Sequence, residues 1–231
     1  MIYVTGDTHG EYSRLSVNTL KNLAEGDTLI ICGDFGFIWN GSESERKLLA
    51  ELGERPYNIY FLDGTHENFN MLEKFPVIEN CGGRMQRISG NLCRLMRGEI
   101  YTIEGKSIFV MGGGESPDAG IRIAQEEYSV MEIPTSEQLL FGAENIASHG
   151  QTVDYIITHE PPAKTKIFLN MKLNSELQLT ILNRYFDKIA SGCTFKKWYF
   201  GSMHADKVVS SSQFSVFEKI RELESGNILS R

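Results

Sequence analysis

The 231-residue sequence contains no apolar stretch of about 18 residues, the length that crosses a membrane as a helix. Its first residues run from Met1 to Asp7 without a basic segment followed by an apolar one, which is the pattern of a secretory signal peptide. Basic residues are outnumbered by acidic ones, 23 to 30, and the formal net charge of -7 argues against a broad nucleic-acid-binding surface. The four cysteines form no Cys-x-x-Cys pair and are expected to be structural. We expect a cytoplasmic protein with reduced thiols and no membrane attachment.

The chain also lacks the features that separate domains. It has no linker rich in proline, glycine and serine, no block of like charge and no internal repeat. Hydrophobic residues make up 41% and charged residues 23% of the sequence, which is ordinary for a globular chain that buries a sizeable core. We therefore expect a single domain over residues 1–231.

Five short β-like runs end in polar loops that hold histidine or aspartate. One of them, Leu29-Ile30-Ile31-Cys32, ends in Gly33-Asp34 and places a carboxylate at the C-terminal edge of a predicted strand, where open α/β sheets bind ligands. The other runs begin at residues 2, 58, 155 and 198 and are followed by Asp7 with His9, by His66, by His159 and by His204. One such loop alone would be an ordinary turn. Five of them at one sheet edge indicate a metal centre, because Mn, Fe and Zn accept imidazole and carboxylate ligands.

Helices are predicted from two kinds of signal. Capping-box spacing occurs twice, at Ser42 with Glu45 and at Thr135 with Gln138, and helix-like apolar spacing occurs twice more. The predicted helices run from Ser42 to about Leu52, from Arg14 to Leu23, from Thr135 to about Ser148, and over the apolar stripe 177–189. Residues 84–111 have instead the pattern of short antiparallel strands, and a polar tail is expected after residue 217.

Residues 115–134 show no clear period. We expect them to form a long surface loop of the kind that carries substrate contacts. Arg122 is the expected phosphate contact in this loop, because a guanidinium group can donate two hydrogen bonds to one phosphate.

The polar blocks resemble, in their order, those of the calcineurin-like metallophosphoesterases, which run D-x-H, G-D-x-x-G/N, G-N-H-D/E, a lone H and G-H-x-H. The corresponding residues here are Asp7-Thr8-His9, Gly33-Asp34-Phe35-Gly36-Phe37, Gly64-Thr65-His66-Glu67, His159 and Gly201-Ser202-Met203-His204. They keep the family's order across residues 7–204, so the resemblance is specific for the fold. It implies an α/β protein with a four-layer calcineurin-like sandwich, in which two packed mixed β-sheets are flanked by helices.

The resemblance also implies a role for each matched residue. A first metal ion would be held by Asp7, His9, Asp34 and His204. Asp34 would bridge to a second ion, which His159 would also bind. His66 would give a proton to the leaving oxygen, assisted by its neighbour Glu67. Mn would be the expected metal, and Fe and Zn are the alternatives.

Two departures from the family fall on the second ion. Thr65 stands where the family has asparagine, and Ser202 stands where it has histidine. Neutral hydroxyl groups bind divalent transition metals more weakly than imidazole does. The first site is therefore complete and the second is weakened, unless Glu160, Glu115 or the substrate supplies a ligand.

Three functions are compatible with the sequence. The first is hydrolysis of a phosphomonoester or phosphodiester by a metal-activated hydroxide, with a phosphorylated small molecule, a nucleotide or a phosphoprotein as substrate. The second is a catalytically weak family member that binds a phosphorylated ligand or a protein partner. The third, an unrelated hydrolase built on histidine and aspartate, requires the order of the blocks to be a coincidence. The sequence favours the first and leaves the oligomeric state open.

Overall fold

The computed structural model describes residues 1–116, 130–173 and 178–229. Its strands are β1 (Ile2–Thr5), β2 (Thr28–Ile31), β3 (Asn58–Phe61), β4 (Val77–Asn80), β5 (Gly83–Ser89), β6 (Leu92–Leu95), β7 (Ile100–Ile103), β8 (Lys106–Met111), β9 (Tyr155–Thr158), β10 (Lys197–Phe200), β11 (Lys207–Val208), β12 (Gln213–Ser215) and β13 (Arg221–Glu222). Its helices are α1 (Glu43–Gly53), α2 (Phe69–Leu72), α3 (Ser136–Ser148), α4 (Ala163–Leu173) and α5 (Ile181–Gly192), with 3₁₀ turns at Tyr12–Leu15 and Val130–Glu132.

The described strands form two mixed sheets. The first has the order β13-β1-β2-β3-β6-β5-β4, and its four central strands β1, β2, β3 and β6 are parallel. The second has the order β11-β12-β10-β9-β8-β7, in which β12, β10, β9 and β8 are parallel. Antiparallel strands close each sheet at both ends. The parallel strands of each sheet therefore end at one common edge.

Successive residues of a strand pack into different layers, because side chains alternate between the two faces of a sheet. Ile30 of β2 lies in an apolar cluster to which both sheets contribute, opposite residues such as Tyr199 of β10. Leu29 packs on the other face with Leu52 of α1. The outer face of the second sheet is covered in the same way by α3, α4 and α5. The order of layers is helix, sheet, sheet, helix, which confirms the predicted four-layer sandwich.

The helix predicted over residues 14–23 is wrong. The chain makes a 3₁₀ turn at Tyr12–Leu15 and then becomes extended at Ser16. The Ser16 hydroxyl accepts a hydrogen bond from the backbone of Thr19, and the Thr19 hydroxyl donates one to the carbonyl of Ser13 at 2.7 Å. Such local bonds between hydroxyl groups and the backbone compete with helix formation, which the apolar spacing alone did not indicate.

The capping predictions are confirmed for the helix positions and in part for the contacts. Thr135 and Gln138 make the complete reciprocal box at the start of α3. Ser42 accepts from the backbone of Glu45 at the start of α1. The Glu45 carboxylate, however, accepts the backbone N–H groups of residues 39–41 instead of returning to Ser42. It thus fixes the loop that precedes α1.

The sequence also missed three elements. Helix α4 and strand β4 were not predicted, and the expected polar tail contains β13, which pairs with β1 through Tyr3 and Glu222. A two-residue strand is too short to show a periodic pattern. The short antiparallel strands predicted over 84–111 are confirmed as two pairs, β5 with β6 and β7 with β8, which lie in different sheets. The apolar stripe is helical over Ile181–Gly192, and its first residue, 177, lies outside the described residues. Among the described residues, no helix combines the length and the apolar character that a membrane span requires.

Candidate metal centre

The predicted ligands lie in loops that follow parallel strands of both sheets. Asp7 and His9 follow β1, and Asp34 follows β2. His159 and His204 follow β9 and β10 in the second sheet. Because the two sheets are packed face to face with their carboxyl edges together, residues nearly 200 positions apart in the sequence come into contact.

Four of these side chains converge on one point. Asp7, His9, Asp34 and His204 each offer one ligand atom, and these atoms all lie within 4.8 Å of one another. The Nε2 atoms of His9 and His204 are 3.1 Å apart, and His204 Nε2 is 3.1 Å from Asp7 Oδ2. Two imidazole nitrogens and two carboxylate oxygens suit a divalent first-row transition metal. The donor set therefore fits the ion that the sequence predicts.

The carboxylates form the floor of this cluster and the imidazoles form its rim. The side chains of Asp7 and Asp34 are 0% and 3% exposed, whereas those of His9 and His204 are 34% and 53% exposed. An ion held here would be bound by protein on one side and accessible from solvent on the other. That arrangement suits a catalytic site, which keeps a coordination position for water or substrate.

The ligand loops hold unusual backbone conformations. His9, Asp34 and His204 have φ angles of 47°, 45° and 44°, in the left-handed region that residues other than glycine rarely adopt. Such conformations cost of order 1 kcal/mol or more each and persist where the surrounding structure enforces them. The loops are thus arranged to aim these side chains.

Glycines make room for the carboxylates. A Cβ atom on Gly64 would overlap Asp34 Oδ1, and one on Gly201 would overlap Asp7 Oδ1. Both glycines belong to the motif blocks, and their role is to let the backbone of one loop approach the ligand of another.

His159 lies beneath the cluster and is 1% exposed. Its Nδ1 is 3.1 Å from the carbonyl oxygen of Cys32 and can donate to it, which leaves Nε2 on the side of Asp34, 3.7 Å from Oδ1. Such a bond from one ring nitrogen to a backbone carbonyl is typical of histidine ligands, since it fixes the tautomer. His159 lies outside the group of four, and its role as a ligand of an ion that shares Asp34 stays a prediction.

The electrostatics of the centre stabilise positive charge. Burial would raise the pKa of Asp34, but His159 and the hydrogen bonds from His66 outweigh it and hold that pKa below its usual value. Burial would lower the pKa of His159, yet Asp34, Asp7 and Glu160 raise it to about 9. The carboxylates thus favour a cation among them, whether an imidazolium or a metal ion.

Thr65 and Ser202, which differ from the family pattern, make hydrogen bonds with other residues of the centre. The Thr65 hydroxyl lies 3.0 Å from His66 Nδ1, and the backbone N–H of Thr65 donates to Asp34. The Ser202 hydroxyl donates to Glu160, and its backbone N–H donates to Asp7. Both residues support the loops of the centre, but neither supplies the imidazole or amide of the family pattern.

His66 and Glu67 occupy different depths. The His66 side chain is 44% exposed, and its Nδ1 is 3.1 Å from Asp34 Oδ2. Glu67 is buried and accepts the backbone N–H groups of Phe35 and Gly36 in the neighbouring loop. Burial and the charge of Asp34 raise the pKa of Glu67 to about 8. Assistance of His66 by Glu67 stays a prediction.

Arg122 lies outside the described residues. Glu115 is half-buried at the end of the glycine loop that follows β8, next to the part of the chain that is not described. Their roles in binding phosphate or a second ion stay predictions.

Sequence reasoning missed a support behind His204. The Phe217 ring stacks on the His204 ring at 5.0 Å between centroids and 26° between planes, and the Arg14 guanidinium lies 5.4 Å from the Phe217 centroid on the ring face. Arg14 also donates to the carbonyl oxygen of Asp7. No motif marks these residues, because their contacts depend on the folded arrangement of distant segments.

Comparison with known proteins gives one strong match. A sequence model of the calcineurin-like phosphoesterases matches residues 1–206. No curated protein matches the chain.

Three solved structures are similar at low identity. A protein of unknown function from Aquifex aeolicus is 18% identical, over 69% of this chain and 78% of that chain, with a TM-score of 0.37. A protein from Thermus thermophilus is 10% identical over 99% and 96% of the two chains, with a TM-score of 0.48. A serine/threonine phosphatase from Saccharomyces cerevisiae is 14% identical over 94% and 66%, with a TM-score of 0.36. At these scores the structures add no argument to the match over residues 1–206.

Proposed function

We propose, since this chain belongs to the calcineurin-like phosphoesterase family, that it hydrolyses phosphoric esters. The reaction would use one divalent metal ion held by Asp7, His9, Asp34 and His204. Family membership and the ligand cluster together support a metal-dependent phosphoesterase in general terms. The observation that carries the proposal for these residues is that their four ligand atoms lie within 4.8 Å of one another. Mn is the proposed ion, and Fe or Zn are the alternatives that the same donors accept.

Each residue of the centre has a proposed task. A bound divalent ion would polarise the phosphoryl group and activate a water molecule. Asp7 and Asp34 would hold that ion from the buried side, while the exposed imidazoles leave room for a phosphate group. His66 would give its proton to the leaving oxygen, because its half-exposed ring lies beside the cluster, with Nδ1 3.1 Å from Asp34 Oδ2. Glu67 would keep the Asp34 loop in position through its bonds to the backbone.

The proposed substrate is a phosphomonoester or phosphodiester in a small molecule, a nucleotide or a phosphoprotein. We also propose that residues 1–231 form one domain, since the pairing of β13 with β1 ties the end of the described chain to its beginning. A cytoplasmic location stays a prediction of the sequence.

The test is metal-dependent release of nitrophenolate from a chromogenic monoester and diester. The protein is first stripped with a chelator and then titrated with Mn²⁺, Fe²⁺ or Zn²⁺. We expect release with at least one of these ions and its loss in Asp34→Asn and His204→Ala. His149→Ala is the matched control, because that exposed histidine caps the end of α3 and lies in none of the ligand loops.

Metal binding without turnover on either substrate would overturn the proposed hydrolysis. It would favour the alternative in which the protein binds a phosphorylated ligand or a protein partner. Unchanged metal affinity in both Asp34→Asn and His204→Ala would place the ion elsewhere.

A further inference from the structure

Glu160, which directly follows His159, is a buried carboxylate whose two oxygens both accept hydrogen bonds. Oε1 accepts from the Ser202 hydroxyl at 2.5 Å. Oε2 accepts from Lys166 Nζ at 2.6 Å and from Asn183 Nδ2 at 2.8 Å. The side chains of Glu160 and Lys166 are only 5% and 12% exposed. The ion pair of Glu160 and Lys166 is therefore buried. Glu160 lies in the loop after β9, and the groups that donate to it lie on α4, on α5 and in the loop after β10.

The pair lies on the His159 side of the metal centre. A Cβ atom on Gly114 would come within 2.7 Å of Thr65 Cγ2, 3.4 Å of His159 Cδ2 and 3.5 Å of Glu160 Cγ, so these three side chains surround one point. Ser202 joins the same region through its bond to Glu160. Of the two residues that depart from the family pattern, Ser202 is thus bonded to this carboxylate, and Thr65 lies with Glu160 against Gly114.

Nitrogen and oxygen donors lie on this side of the centre. They comprise the imidazole of His159, the hydroxyl of Ser202 and the carboxylates of Glu160 and the shared Asp34. Nitrogen and oxygen donors of this kind bind divalent metals. A buried carboxylate requires a compensating positive charge, and here the ammonium group of Lys166 supplies it.

We propose that Lys166 acts as an internal cation that holds Glu160 and thereby keeps the His159 side of the centre from binding a second metal ion. The proposal rests on the metal centre proposed above and adds that its single-ion character is due to Lys166, not to Thr65 and Ser202 alone. Removing the ammonium group leaves the Glu160 carboxylate bonded only to the neutral groups of Ser202 and Asn183, so that a metal ion on the His159 side can replace the lost positive charge.

The test is metal stoichiometry, measured by elemental analysis after equilibrium dialysis against Mn²⁺. The wild-type protein should bind one equivalent and Lys166→Met should bind two, because methionine keeps the length of the side chain without its charge. Lys164→Met on the exposed side of the same helix is the matched control and should bind one equivalent. Glu160→Gln combined with Lys166→Met should return the count to one, since the new ligand is lost.

Thermal unfolding gives a second readout that does not depend on activity. Mn²⁺ should raise the Tm of Lys166→Met more than that of the wild-type protein, because ligand binding to the folded state stabilises it. If Lys166→Met does not fold, Lys166→Gln replaces it, since glutamine is uncharged and its amide can still donate to Glu160.

The outcomes separate the two proposals. Two equivalents in the wild-type protein, or one equivalent in a folded Lys166 variant, would overturn the role of Lys166 and leave the four-ligand site intact. No bound metal in the wild-type protein would overturn the four-ligand site itself, and with it the role of Lys166.

Discussion

Replacement of Asp63 by asparagine should strongly destabilise the fold without removing any predicted metal ligand. Asp63 is completely buried just after β3, and each of its oxygens accepts two hydrogen bonds from one arginine. Arg94 donates to Oδ1 at 3.0 and 2.8 Å, and Arg97 donates to Oδ2 at 2.8 and 2.5 Å. Asparagine would present an NH₂ group to one guanidinium and would remove the carboxylate charge that both guanidinium groups contact.

The size of the effect follows from two arguments. Burial would raise the pKa of Asp63, but Arg94 and Arg97 outweigh it and lower that pKa from its usual 3.8 to about 2. At about 1.4 kcal/mol per pH unit, this difference corresponds to roughly 2.5 kcal/mol of folding free energy. Breaking a buried ion pair by removing one partner costs about 3–5 kcal/mol. We therefore expect Asp63→Asn to lose about 2.5–5 kcal/mol at pH 7.

The pH dependence has a definite direction. Because the pKa of Asp63 is lower in the folded state, its contribution is complete above about pH 4 and is lost as the pH falls towards 2. The difference in stability between the wild-type protein and Asp63→Asn should therefore shrink over that range. The carboxylate, and not the shape of the side chain, would then account for the effect.

The assay is urea unfolding in the presence of a chelator, so that bound metal does not contribute. Glu43→Gln is the control, since it removes a carboxylate from a fully exposed ion pair with Lys47 on α1 and should leave the midpoint nearly unchanged. A loss below about 1 kcal/mol for Asp63→Asn at pH 7, or a difference that stays constant down to pH 2, would refute the reasoning.

Three further predictions concern the centre itself. His66→Ala should lower kcat by roughly 10²- to 10⁴-fold with unchanged metal content. The loss should be smaller for substrates that release nitrophenolate, because that leaving group needs no protonation. A variant with wild-type rates on substrates with poor and good leaving groups alike would remove His66 from the mechanism. Phe217→Leu should weaken Mn²⁺ binding about two- to tenfold in calorimetry, because the ring that stacks on His204 is lost, and unchanged affinity would contradict that support. Gly64→Ala should abolish tight Mn²⁺ binding, because the new Cβ atom would displace the Asp34 carboxylate. Gly192→Ala is the control and should bind Mn²⁺ as the wild-type protein does, because a Cβ atom there meets nothing within 4 Å.

The ligand loops could be predicted because the information for each one is local. A run of four apolar residues such as 29–32 predicts a buried strand, and the Gly33-Asp34 that follows can only lie at its end. Short parallel strands with this pattern bring the loops of Asp7, His9 and Asp34 to one sheet edge. His204 follows a strand of the second sheet and meets them only because the two sheets pack face to face, which the local pattern does not show. The same logic predicted most strands of both sheets but not β4 and β13, which lie at the sheet ends.

The pairs that connect separate elements could not be predicted in this way. Lys166 is six residues from Glu160, and Asn183 is 23 residues from it, but both reach the carboxylate only because α4 and α5 pack on the same face of the second sheet. The sequence shows Glu160 as one acidic residue in a loop and Lys166 as one basic residue in a weakly patterned helix. Their pairing depends on the tertiary packing of two helices, for which neither residue type nor spacing gives a signal.

The segment after residue 206 illustrates why the motif blocks alone do not define the centre. The family match ends there, yet the carbonyl oxygen of Phe217 accepts from the backbone of Gly6, and the Asp206 carboxylate accepts the backbone N–H groups of residues 217–219. These bonds fix the Phe217 ring against His204, whose side chain is otherwise half-exposed. A ligand at the rim of a metal centre loses side-chain freedom when an ion binds, and a ring that already holds it reduces that cost. We therefore expect the metal affinity of the centre to depend also on residues that carry no ligand atom and lie beyond the last of the motif blocks.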